Sequence, residues 1–334
     1  MKEKNDGHQA IGLDVGTSRI VVAERHRDEF RCRARLNAFV AIPATKMAER
    51  ALAQESVPYL VRGGEILIFG DESEKFADLF HLPARRPMSR GILNPSEPDG
   101  LSIVRQILGS LFGDSGGEGK KVCFSVPAPA LGAEDSVTYH EAAVGQLLGE
   151  SGYDARSINE GLAVIYAELD SSNFTGIGIS FGGGLSNVCL AYLAAPLFSF
   201  SVPKGGDFID ASVAGVTNEL ETRIRIVKET SFHFNGNFAD KVQQALGVYY
   251  RDMIDAVVSA LKEAFANGRN VPKIGRPVPV ILSGGSALAP GFRDRFAEAL
   301  SRAALPVSIA DVKVATDPLN ATAKGALVAA LAEV

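Results

Sequence analysis

The sequence predicts an α/β protein of two related lobes. Three observations carry this reading. Strand-like and helix-like segments alternate along almost the whole chain. A unit of apolar strand, glycine turn and apolar strand occurs twice. Ile11-Gly12-Leu13-Asp14-Val15-Gly16-Thr17 continues into Ile20-Val21-Val22-Ala23, and Ile177-Gly178-Ile179-Ser180-Phe181-Gly182-Gly183 continues into Val188-Cys189-Leu190-Ala191. The length, 334 residues, is that of about two average domains.

In chain order, residues 10–24 and 30–42 read as strands rich in β-branched residues, joined by a charged turn. Residues 43–92 carry four prolines and a Gly63-Gly64 turn and read as a small inserted subdomain. Leu101, Val104, Leu108 and Leu111 fall at helical spacing, predicting a helix over 99–113. The tract 113–120 is a loop, 121–128 a buried strand, and 134–150 and 158–169 are helices. The second half repeats the scheme, with strands at 176–181, 187–193 and 197–202 and a helix from Gly206 to about 229. A long helix over 241–266 places Val242, Leu246, Tyr249, Met253, Val257, Leu261 and Phe265 on one face. A strand at 278–285 and helices at 290–303 and 319–332 complete the chain.

Five segments carry candidate chemistry. In Asp14-Val15-Gly16-Thr17-Ser18 a glycine turn lets backbone amides approach a polyphosphate, with two hydroxyls beside it. Asp14 can orient the water shell of Mg²⁺, which keeps several of its waters. An ordinary glycine-turned hairpin is the other reading of this segment. Gly182-Gly183-Gly184 with Leu185 and Ser186 reads as a second phosphate-facing loop, because strands rather than linker flank it. Ser283-Gly284-Gly285-Ser286 ends a strand and precedes a helix, where α/β folds bind ligands. Glu160 opens a helix and is a candidate catalytic carboxylate that orients water, or simply a first-turn acid favoured by the helix dipole. Gly205-Gly206-Asp207 opens another helix, with Asp207 as its cap. No GxxxxGK[ST] and no GxGxxG motif occurs.

In order and spacing these segments resemble the actin, Hsc-type chaperone and sugar kinase superfamily, and within it the bacterial actin-like proteins of the MreB and MamK kind. The resemblance covers about residues 11–330. IGLDVGTSRIVV and GISFGGGLSNVCLA are similar to the two phosphate motifs, SINEGLAVIYAEL and DPLNATAKGALVAA to the two connecting helices, and VILSGGSALAPGF to the adenosine motif. RPMSRGIL and SVPKGGDFID resemble MreB-type segments, and IVKETSFHF an adenosine-holding one. The resemblance implies an actin-like two-lobed ATPase fold, with duplicated ribonuclease H-like domains around a nucleotide cleft. Lobe I would be 1–170 with 316–334, carrying an insertion at about 43–92. Lobe II would be 171–315, with a helical insertion at about 208–275. It also implies ATP or ADP with Mg as cofactors. Asp14, Gly16 and Thr17 would contact phosphates and Mg²⁺, the metal through water. Gly182, Gly183, Gly184 and Ser186 would cradle the phosphates from the other lobe. Gly205, Gly206, Lys228, Glu229, Gly284, Gly285 and Ser286 would surround ribose and adenine, and Glu160 would orient the attacking water.

Two positions depart from the pattern. Ser180 stands where the second phosphate motif usually has an acid, and Leu185 where it usually has Thr. Nucleotide binding should therefore survive better than hydrolysis. The expected function is an actin-like cytoskeletal protein that assembles into filaments and hydrolyses ATP slowly. The alternative is a non-polymerising ATP-binding scaffold, FtsA- or PilM-like, working with partners of the cell envelope or division machinery. A sugar kinase would need a substrate-cleft Asp, for which there is no clear candidate.

Composition fits these expectations. Hydrophobic residues are 46% and charged residues 22%, which excludes a disordered or fibrous chain. The net charge of −5 argues against a nucleic-acid partner. Cys32, Cys123 and Cys189 form no CxxC pair, and Cys123 and Cys189 lie in apolar runs as buried thiols. The first ten residues lack the apolar core of a secretory signal, and no run of about 18 apolar residues occurs, so the expectation is cytoplasmic, without a direct membrane anchor. Arg25, Arg27, Arg31, Arg33 and Arg35 alternate across a strand, turn and strand, as on a solvated sheet edge.

Overall fold

The computed structural model describes residues 10–332 apart from 28, 114–116, 132–136, 237, 239 and 268–273. The polar residues 1–9, part of the 113–120 tract and the expected start of the helix at 134 lie outside the described residues. The chain opens with β1 (Ala10–Val15), β2 (Arg19–His26) and β3 (Glu29–Leu36). Then come β4 (Phe39–Pro43), α1 (Lys46–Gln54), β5 (Tyr59–Arg62), β6 (Glu65–Phe69), α2 (Glu72–Phe80), β7 (Met88–Ser89) and β8 (Ile92–Leu93). The first half ends with α3 (Gly100–Phe112), β9 (Lys121–Val126), α4 (Val137–Glu150), β10 (Asp154–Asn159) and α5 (Glu160–Glu168). The second half runs β11 (Gly176–Phe181), β12 (Ser186–Tyr192), β13 (Ala195–Val202), α6 (Gly206–Thr217), α7 (Glu221–Thr230) and α8 (Lys241–Asn267). It closes with β14 (Val278–Ser283), α9 (Phe292–Ser301), β15 (Ile309–Val314) and α10 (Ala321–Leu331).

The internal repeat is a duplicated sheet. The first sheet has the order β10-β9-β1-β2-β3 and the second β15-β14-β11-β12-β13. In each, three strands form an antiparallel meander and the last two run parallel to the meander's first strand. The first glycine of each repeat has the same purpose. A Cβ at Gly12 would overlap the Ala323 carbonyl of α10, and one at Gly178 the Gly161 carbonyl of α5. Each lobe's first strand is thus bare where a helix crosses it. The helices meet each other the same way, with Gly325 of α10 against the Ala163 carbonyl of α5. Small residues here bring two backbones together beneath the cleft.

Several expectations need correction. Residues 30–42 form two strands in different sheets, because the chain turns at the fully buried Asn37, whose side-chain amide donates to the Gly16 carbonyl at 2.9 Å. Residues 43–92 are ordered around a three-stranded sheet, β4-β6-β5, that already begins at Phe39. The helix expected from 158 starts at Glu160, because the Asn159 side chain caps the Gly161 and Leu162 amides, and 154–159 is a parallel edge strand. The helix expected from 206 to 229 is two helices, broken at Asn218 with φ of 58°. On α8, Tyr250 rather than Tyr249 is buried, stacked on Phe232 at 5.0 Å between centroids. The edge strand β15 carries no long apolar run and was not expected. Strand β3 is the exposed edge of the first sheet, with Arg33 on Glu24 at 2.9 Å and Arg35 on Asp71 at 3.5 Å. Cys123 and Cys189 are buried. Among the described residues no helix is long and apolar enough to cross a membrane.

Candidate functional site

The two glycine turns end β1 and β11 and face each other over a cleft of about 470 Å³. That volume lies in the range of small-molecule sites. Their approach requires glycine. A Cβ at Gly183 would overlap Ser18 Oγ, and one at Gly184 would lie 2.6 Å from Thr17 Oγ1. Gly284 has φ of 90° and packs on the Phe181 carbonyl, which a side chain would strike.

Asp14 and Glu160 form the floor. Asp14 Oδ1 accepts from Ser125 Oγ at 2.6 Å, and that hydroxyl oxygen accepts from the Val15 amide at 3.1 Å. Burial pushes Asp14 up to about 6, with the Ser125 hydrogen bond opposing. Burial and then the charge of Asp14 push Glu160 up to about 8, against hydrogen bonds with Ser180 and Asn187. At neutral pH the pair therefore holds one proton, chiefly on Glu160. Asn187 is oriented by the Ala128 amide, which donates to its Oδ1 at 2.9 Å.

The hydroxyls above the floor are held as acceptors. Gly91 N donates to Thr17 Oγ1 at 2.9 Å, and Arg86 Nη1 donates to Ser18 Oγ at 3.0 Å. Each hydroxyl keeps its own proton to donate. Leu185 is buried and touches Gly91, so this corner of the second loop is apolar.

Beyond the loops, Lys228 Nζ donates to Asp210 Oδ2 at 2.8 Å and to the Gly206 carbonyl at 3.0 Å. Asp210 is 1% exposed, and its Oδ1 has no hydrogen-bond partner among the described residues. Burial raises its carboxyl pKa, opposed by the charge of Lys228. Arg225 Nη1 reaches Glu74 at 3.4 Å, joining α7 to α2 across the mouth.

Most of the expected site residues line this one cleft: Asp14, Gly16, Thr17, Ser18, Glu160, Gly182, Gly183, Gly184, Gly206, Lys228, Glu229, Gly284, Gly285 and Ser286. Two do not. Ser186 Oγ donates to the Lys204 carbonyl at 2.7 Å beneath the second loop, and Gly205 packs against the carbonyls of Gly182 and Gly183. Both support the loop from behind. The first amides of α6 are likewise spent on it, Gly206 N on Gly182 O at 3.0 Å and Asp207 N on Gly183 O at 2.9 Å. Sequence reading missed Arg86, Ser125, Asn187, Asp210 and Arg225. A polar residue in a buried strand was the available signal for Ser125 and Asn187.

The Volactin family model matches residues 9–330. Among solved structures, the MamK double helical filament is similar with a TM-score of 0.72 at 17% identity, over 97% of this chain and 98% of that one. A non-polymerising MamK mutant bound to AMPPNP gives 0.62 at 17% identity, over 97% and 99%. The ethanolamine utilization protein EutJ from Carboxydothermus hydrogenoformans gives 0.54 at 18% identity, over 95% and 89%. No curated protein sequence matches the chain. The structural likenesses and the duplicated sheets establish the actin-like two-lobed fold. With a family match running almost from end to end, this chain belongs to the Volactin family.

Proposed function

We propose that this chain binds ATP, or ADP, with Mg²⁺ between its two glycine loops, hydrolyses ATP slowly, and self-associates into filaments in the cytoplasm. One observation carries the reading: glycine loops from two copies of the same sheet face each other over a floor of two neighbouring carboxylates, Asp14 and Glu160. The residues fit both groups. Thr17 and Ser18 offer hydroxyl protons, and Arg86 and Lys228 offer positive charge to an anionic ligand. Two crowded carboxylates with raised pKa values suit a divalent cation, which lowers the cost of ionising both. Among the described residues no cluster of three His, Cys, Asp or Glu could hold a metal. Asp14 would therefore hold Mg²⁺ through water and phosphate oxygens would complete its shell. When bound, the ion neutralises charge on the transferred phosphate.

Glu160 would orient the attacking water, and in its protonated form it accepts a proton poorly. Ser180 supplies a hydroxyl where an acid would add charge, and Leu185 supplies no phosphate donor. Both favour binding over turnover. The filament and AMPPNP in the MamK structures support self-association and nucleotide binding here by likeness of fold. The lobes would move about boundaries near residues 170 and 315. Negative-stain microscopy with Mg-ATP, with Mg-ADP and without nucleotide tests the reading. Filaments with ATP support it. Dispersed particles in all three overturn self-assembly and favour a scaffold acting through other proteins.

A further inference from the structure

Arg86 ties the two halves of the cleft together. It lies between α2 and β7, and Nη1 donates both to Ser18 Oγ at 3.0 Å and to the two Asp207 carboxylate oxygens at 3.1 Å. Ser18 sits on the first glycine turn, and Asp207 on the first turn of α6, whose amide is pinned to the second. Its neighbours fix it in place. Arg85 and Phe39 exchange backbone hydrogen bonds at 2.9 and 2.7 Å. The Arg85 guanidinium clamps Glu97, with Nε 2.9 Å from Oε2, and lies 4.6 Å from the Phe39 ring centre. The Pro87 carbonyl accepts from the Asn94 amide at 2.9 Å. With both flanks anchored, the Arg86 side chain is delivered into the cleft and is 19% exposed.

The other cations facing the cleft are placed differently. Lys228 is committed to Asp210 and a carbonyl, Arg225 to Glu74 and Asp210, and Arg19 is exposed at the start of β2. Among the described residues Arg86 is the cation that hydrogen-bonds to a hydroxyl of the glycine loops. Its carboxylate partner is the more exposed of the two, at 36%, and can turn to water. A guanidinium N–H donates to carboxylate or phosphate oxygens alike, and phosphate brings more charge.

We propose that Arg86 counts phosphates: it trades Asp207 for the terminal phosphate of a nucleoside triphosphate and returns to Asp207 with a diphosphate. The link between the first glycine loop and α6 then depends on which nucleotide is bound. This rests on the nucleotide reading of the cleft.

Equilibrium titration of the full chain with fluorescent ATP and ADP analogues in Mg²⁺ tests it, with thermal unfolding checking each variant's fold. Arg86→Gln should weaken ATP roughly tenfold while ADP changes by less than about twofold, the scale of one charge-assisted contact. Asp207→Asn should release Arg86 and tighten ATP relative to ADP. Arg86→Lys, which keeps the charge but loses the planar guanidinium, should fall between wild type and Arg86→Gln. Equal losses for both nucleotides in Arg86→Gln, or an unchanged ratio in Asp207→Asn, would overturn the proposal while leaving the cleft reading intact. A folded wild type that binds neither analogue overturns both. If Arg86→Gln does not fold, Asp207→Asn decides alone.

Discussion

Replacing Glu160 by Gln removes a proton that the fold is built to hold. The ordinary carboxyl value of 4.5 becomes about 8 in the folded chain, a gap of 8 − 4.5 or about 3.5 pH units. At about 1.4 kcal/mol per unit this is an upper bound of about 5 kcal/mol. The folded protein keeps a proton that the unfolded chain releases above 4.5, so the unfolded state binds fewer protons. Stability therefore falls as pH rises from 4.5 to 8 and then levels off. Asp14, pushed up to about 6, adds slope of the same sign only below that value. The interval from pH 6 to 8 is dominated by Glu160, with a small remainder from Asp14, and over those two units the wild type should lose about 3 kcal/mol. Urea unfolding of wild type and Glu160→Gln at pH 6, 7 and 8, without Mg²⁺, reads this directly. The Gln variant should show a nearly flat profile there. Asp14→Asn should move the upper end of the wild-type slope to lower pH, because the neighbouring charge is the second cause of the shift. Equal slopes in wild type and Glu160→Gln would refute the account of a protonated floor.

Three further outcomes follow from the packing around that floor. Gly325→Ala drives a methyl into the Ala163 backbone where α10 crosses α5 and should cost about 3 kcal/mol or more; a wild-type melting temperature would contradict the backbone contact. Ser125→Ala strands the Val15 amide and removes the hydrogen bond to Asp14, costing about 1–3 kcal/mol. Carboxyl NMR should then find Asp14 titrating above its wild-type value. Ser180→Asp places a third carboxylate beside Glu160, so metal-free stability should drop, Mg²⁺ should recover it, and phosphate release with Mg-ATP should quicken. Unchanged metal-free stability would sink the crowding argument.

What the sequence disclosed and what it hid divide on physical lines. Both glycine hairpins were legible because tight approach permits only glycine and leaves a local signature, as at Gly183 facing Ser18. The helix starts at Glu160 and Phe292 were misplaced by two residues because caps and glycine geometry, set by Asn159 and Gly291, decide ends. Edge strands β10 and β15 escaped because they have one covered side and no apolar run. Glycines and hydroxyls in the phosphate motifs were found, whereas Arg86 and Asp210, at the ends of the quoted RPMSRGIL and SVPKGGDFID segments, were not assigned a role. Their roles exist only through partners 121 and 18 residues away, Asp207 and Lys228, and no local pattern encodes such pairs. Ser186 and Gly205 failed for a related reason. Small residues in a phosphate motif can serve the loop's back as readily as its face.

The two departures in the second glycine loop act together rather than separately. An acid at 180 would touch Glu160, which already shares one proton with Asp14 near neutral pH. Three crowded carboxylates would need further protons or a cation, which weakens the empty floor and favours the metal-bound one. Ser180 lowers that demand: it adds no charge, and its hydroxyl hydrogen-bonds to Glu160. Leu185 removes a hydroxyl from the same loop and instead packs on Gly91, whose amide already serves Thr17. The loop is thus braced by apolar and neutral contacts and depends less on ligand charge for its shape. On the nucleotide reading proposed for this cleft, a floor that holds without metal suits binding more than turnover, and the contact proposed to distinguish nucleotides is Arg86 on Asp207 rather than Glu160.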